Sequence, residues 1–98
     1  MITEHALLPV KPGHESEFEE AFASARRIIA SMPGFRGLTL SRGVENPNSY
    51  LLLVTWDSVE AHEVEFRGSP EYQEWKRMLH HFYDPFPLVE HYRQVASA

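Results

Sequence analysis

Trp56 and His62 are the two residues of this chain best placed to do chemistry together. Tyr50-Leu51-Leu52-Leu53-Val54-Thr55-Trp56 is a strand, and Asp57-Ser58-Val59-Glu60-Ala61-His62 starts a helix directly after it. Asp57 or Ser58 is the N-cap, and Asp57 with Glu60 three residues on resembles a capping box. A tryptophan at the strand end and a histidine one helical turn later therefore sit close in space. The indole N–H of Trp56 could be donated to an oxygen of a bound molecule; equally, the ring could pack as core beneath the helix. His62 shares a helical face with Val59 and Phe66, where an imidazole is costly unless hydrogen-bonded. It is either a satisfied, half-buried histidine or a general base of near-neutral pKa, able to take a proton from a phenol or an enol.

Two further pairs stand out, Glu4-His5 near the start and Glu90-His91 near the end. If their strands are neighbours, Glu4 and His5 point to opposite faces of a central strand that is buried on both sides. At least one of them must then be paired in low dielectric. Cross-strand pairing, of Glu4 with a last-strand residue or of His5 across a dimer, is one outcome, and a site group is the other. His80 and His81 close a later helix, where adjacent side chains point about 100° apart and do not readily share one metal ion. His81 suits the helix dipole, whereas His80 is a second candidate base. His62-Glu63-Val64-Glu65-Phe66 has phenylalanine where a zinc-protease motif needs its second histidine. No histidines show a ligand spacing, so no metal is expected.

The elements that must hold these residues follow from periodicity. Ile2 to Val10 reads as a strand, ended by Lys11-Pro12-Gly13. His14 to Met32 reads as a helix whose stripe is Phe18, Ala21, Phe22, Ala25, Ile28, Ile29 and Met32, stopped by Pro33-Gly34. Phe35 to Val44 is a second strand, joined through Glu45-Asn46-Pro47-Asn48-Ser49 to the third as a hairpin. The helix after Trp56 breaks at Gly68 and restarts at Ser69-Pro70, with a stripe of Tyr72, Trp75, Leu79 and Phe82. Asp84-Pro85-Phe86-Pro87 stops it, Leu88 to Val95 is the last strand, and residues 96–98 are a frayed tail.

The order βαββαβ with right-handed crossovers predicts a ferredoxin-like α+β sandwich: one four-stranded antiparallel sheet with helices on one face. The third strand is apolar on both faces, and helices cover only one. Leaving Leu51 and Leu53 in water would expose a patch that soluble monomers rarely carry, so a homodimer packed sheet to sheet is expected.

Ninety-eight residues make one domain, 1–98. A net charge of −5 argues against a nucleic-acid partner. The absence of cysteine excludes disulfides, thiol nucleophiles and cysteine-ligated metal or iron–sulfur centres. No apolar run approaches the ~20 residues of a membrane span. The opening residues lack the pattern of a secretory signal, so the cytoplasm is the expected compartment. Without a glycine-rich phosphate loop or dinucleotide fingerprint, neither flavin nor nicotinamide has a visible site, and no cofactor is expected.

Val10-Lys11-Pro12-Gly13 before a long helix, Met32-Pro33-Gly34-Phe35 after it, Tyr50 to His62, and Ser69-Pro70-Glu71-Tyr72 together resemble the antibiotic biosynthesis monooxygenase superfamily of dimeric α+β barrels. The resemblance spans nearly the whole chain and is more specific to fold than to activity. It implies a small cytoplasmic homodimer with a pocket between sheet and helices. That pocket is expected to use Glu4, Ala6, Phe66, Tyr72, Trp75 and Leu79 to bind, and His62, His80 and Trp56 to catalyse. The implied reaction is cofactor-independent oxidation of a small phenolic or enolisable compound. The alternatives are a non-catalytic small-ligand-binding or dimerisation module and, third, a haem-binding or haem-degrading protein. The haem-degrading branch pairs a first-strand asparagine and a helical histidine with the strand-end tryptophan. Those two positions fall here on Ala6 and Lys76, with His80 one turn beyond, which argues against haem chemistry.

Overall fold

The computed structural model describes residues 1–98. Its elements run β1 (Ile2–Pro9), α1 (Glu15–Ala30), β2 (Phe35–Arg42), β3 (Ser49–Trp56), a π-helix (Ala61–Phe66), α2 (Pro70–Leu79), a 3-10 turn (His80–Phe82) and β4 (Val89–Tyr92). The antiparallel sheet has the order β2-β3-β1-β4, the ferredoxin-like arrangement expected from the element order. Glu4 lies opposite Val54 on β3 and opposite His91 on β4, so β1 is central, as expected.

The row Glu4, Ala6 and Leu8 on β1 joins Tyr50, Leu52, Val54 and Trp56 on β3, and all are buried beneath the helices. Phe18, Phe22, Ala25 and Ile29 of α1 press on that row, with Trp75 and Leu79 of α2 beside them. On the outer face Leu7 is 53% exposed, and Leu51 and Leu53 are only half-buried in the single chain. No helix is long and apolar enough to cross a membrane.

The link from β3 to the π-helix is set by two residues. Ser58, not Asp57, caps the helix: its Oγ accepts from the Ala61 N–H at 3.1 Å. Asp57 instead pairs with Arg36. Gly34 adopts φ +84°, and a Cβ there would stand 2.8 Å from the Ala61 Cβ, so only glycine lets the turn approach this closely.

Several boundaries differ from the sequence reading. Strand β1 ends at Pro9, with Val10 making a separate bridge to Tyr83. The last strand shrinks to Val89–Tyr92, and Leu88 and Val95 are exposed. The helix after Trp56 is wound as a π-helix, closed by the Arg67 N–H on the His62 carbonyl at 3.1 Å. Val59, which precedes the π-wound residues, is off the expected stripe at 37% exposure, while Ala61, His62 and Phe66 are buried.

Candidate active site

Glu4 is the hub of a buried polar chain. Strand alternation turns it under the helices, where it is 5% exposed. Trp56, two residues past Glu4's partner Val54 on β3, donates its indole N–H to Glu4 Oε1 at 2.9 Å. The Nε2 of His62 lies 3.3 Å from the same oxygen. The His62 ring stacks on Trp56, with centroids 5.4 Å apart and planes 16° apart. Its Nδ1 meets His91 Nε2 at 2.9 Å. His91 comes from β4, directly opposite Glu4, and its Nε2 is 3.7 Å from Glu63 Oε1. Arg67 holds the other oxygen of Glu63 at 3.0 Å.

Burial decides the charges. It pushes the Glu4 carboxyl up to about 6, against the lowering pull of the Trp56 hydrogen bond and Arg67. Burial, reinforced by the positive field of Arg67 and by His91, takes His62 down to about 3. His62 is therefore neutral. The orientation this favours has its Nε2–H donated to Glu4 and its Nδ1 accepting from His91.

Glu4 and His62 open onto a cavity of about 290 Å³ between sheet and helices. Most of its wall is apolar, from Ala6, Leu8, Ile29, Leu52, Phe66 and Trp75, with the segment Phe86–Val89 along one side. Its remaining polar groups are Arg67, Tyr72, His80 and Tyr83. Neither tyrosine hydroxyl nor the His80 ring has a side-chain hydrogen-bond partner, and the Arg67 Nε is buried without one. Burial raises the Tyr72 and Tyr83 phenols and lowers His80. Glu4 Oε1 takes both contacts from Trp56 and His62, which leaves Oε2 as the oxygen it offers to the cavity.

Of the residues expected in the pocket, Glu4, Ala6, His62, Phe66, Tyr72, Trp75 and His80 line it. Trp56 and Leu79 do not: both are fully buried behind the wall, and the Trp56 N–H is spent on Glu4. His62 has both nitrogens engaged, and Ala6 brings no polar atom to the wall. His5 faces the outer side of the sheet, with its ring 5.3 Å from that of Tyr92. Arg67, Tyr83 and Phe86–Leu88 were not foreseen as lining residues. Phe86 and Leu88, apolar residues in the proline-bounded stretch after Asp84, were the available signal.

A family model, antibiotic biosynthesis monooxygenase, matches residues 1–78. The chain belongs to that family. It is 52% identical over 95 residues to the uncharacterized protein YczJ of Bacillus subtilis (strain 168), covering 97% of this chain and all of that one. A crystal structure of a Bordetella bronchiseptica protein assigned to the same family superposes with a TM-score of 0.93 at 37% identity, over 97% of both chains. A Caulobacter crescentus structure shares the fold, with a TM-score of 0.82 at 23% identity over 97% of this chain and 90% of that one.

Proposed function

We propose that this family member is a homodimeric, cofactor-independent oxygenase for a small phenolic or enolisable compound, with Glu4 as the base. The observation that carries the reading is the Glu4 carboxylate: one oxygen is fixed by Trp56 and His62, and the other is free on the wall of a mostly apolar cavity. A carboxylate held out of water is a stronger base than a solvated one, as removal of a phenolic proton requires. A cavity near 290 Å³ suits a compact aromatic ligand.

In this reading the substrate hydroxyl gives its proton to Glu4. The resulting anion passes an electron to dioxygen, and the two radicals join through a C–O bond to a peroxide. Glu4 returns the proton to the outer oxygen, the O–O bond breaks, and the ring C–H proton leaves with that oxygen. The net change is phenol plus dioxygen to quinone plus water. Tyr72, Tyr83 and Arg67 are the donors available to the developing oxyanion, and the apolar wall keeps water from it. His62 orients Glu4, while His80 is a second group free to exchange a proton.

The half-buried pair Leu51 and Leu53, with exposed Leu7 opposite Leu51, supports dimerisation through the outer sheet face. Oxygen uptake with a panel of hydroxylated naphthalenes and anthracenes tests the activity, in buffer containing chelator. Uptake above the uncatalysed rate, reduced about 100-fold or more by Glu4→Gln, is expected. Binding of these compounds without uptake would make the chain a small-ligand-binding module instead.

A further inference from the structure

The proposed oxidation leaves the outer half of the polar chain unused. His62 Nδ1, His91 Nε2 and an oxygen of Glu63 converge there, all within 4.8 Å of one another. We infer that these three side chains form a binding site for a divalent transition-metal ion of the zinc class.

The geometry suits such an ion. With bonds of about 2.1 Å, the 2.9 Å and 3.7 Å separations correspond to angles at the metal of roughly 90° and 120°, those of a distorted tetrahedron. Glu63 is exposed, so its carboxylate can pivot on the Arg67 contact to close the remaining edge, and its position gives an ion an entry path from solvent. A water completes the fourth position.

The surroundings of the ligands are independent support. A metal-bound imidazole characteristically donates its other ring N–H to a carboxylate, and His62 Nε2 faces Glu4 Oε1 at 3.3 Å. That contact turns the Nδ1 lone pair outward. Arg67 fixes Glu63 through Oε2 at 3.0 Å, leaving Oε1 for the ion. Two imidazoles and one carboxylate favour zinc, cobalt, nickel or copper over magnesium or calcium.

Neither Glu63 nor His91 lines the cavity. The ion would stand across the His62 ring from the reaction space, replacing the single proton shared by two imidazoles. It would clamp the π-helix to β4 and hold His62 in the orientation that serves Glu4. The sequence conceals this set, because His91 joins the adjacent pair His62-Glu63 only through the β1–β4 register.

Titration of the chelator-stripped full chain with Zn²⁺ by calorimetry, and with Co²⁺ by visible absorption, tests the site. One ion per chain is expected, with a Co²⁺ spectrum of low coordination number. Loss of an outer partner alone weakens metal sites about 10–100-fold, so His91→Ala and Glu63→Gln should each weaken binding by about tenfold or more. Glu63→Gln changes an exposed side chain and guards against a folding defect in the other variant. His14→Ala and His81→Ala, at exposed histidines away from the cluster, should bind like the parent. No stoichiometric binding, or binding that survives both ligand substitutions, would overturn the site.

Discussion

The indole N–H of Trp56 ends on Glu4 Oε1 at 2.9 Å, joining the last residue of β3 to the middle of β1 beneath the helices. A tryptophan that the sequence leaves free to face a ligand is instead a fixed donor to a buried carboxylate. Trp56→Phe removes that donor together with part of a fully buried ring that stacks on His62. Hydrogen bonds to charged groups contribute about 1.5–3 kcal/mol, and the smaller ring adds a packing loss, so denaturant unfolding of this variant should show a loss of at least that order. Unchanged stability would mean that the bond contributes nothing.

Glu4 itself should make the fold more stable in acid than at neutrality. Its pKa climbs from 4.5 unfolded to about 6 folded, so the folded state binds the proton more tightly. The group's contribution is fully present below pH 4.5 and is lost as pH rises through 6. A shift of that size corresponds to about 2 kcal/mol. Glu4→Gln still offers an oxygen to Trp56 and does not titrate. Measured in chelator, it should be more stable than the parent at pH 7, by up to that amount, with the difference vanishing near pH 4. A difference that does not change with pH would show that Glu4 is not held away from its solution pKa.

Leu53→Glu tests the outer sheet face. Leu53 stands opposite His5 on β1 and opposite Thr39 on β2, on the side away from the helices. A carboxylate buried there without a partner costs about 3–5 kcal/mol in a dimer and little in a monomer. Sedimentation should show the parent as a dimer at micromolar concentration and the variant as a monomer. A parent that sediments as a monomer would leave the face without a partner copy.

The sheet and α1 were legible because their burial follows from simple periods: alternation on β3, and the three-four stripe from Phe18 to Ile29. The split of the second helix was legible from Gly68 and Ser69-Pro70. The winding of its first half was not, because His62 and Phe66 are four apart and share a face in either an α- or a π-helix. Glu4 was flagged by being charged on a central strand, yet its partners depend on register. Val54 opposite Glu4 brings Trp56 within reach, and the β1–β4 pairing brings His91 to His62. The cavity wall at Phe86–Leu88 has no periodicity at all, since it is loop held by a strand of four residues.

The central claim is that Glu4 takes the proton of a bound phenol, and ligand absorbance measures it directly. A hydroxynaphthoquinone or nitrophenol, bound under nitrogen so that no oxygen is consumed, reports its own ionisation by its visible band. The bound ligand should be the anion in the parent at a pH where the free compound is still largely neutral. In Glu4→Gln it should bind as the neutral phenol, while His80→Ala retains the anion. An anion that persists in Glu4→Gln, or a ligand that stays neutral in the parent, would contradict the account.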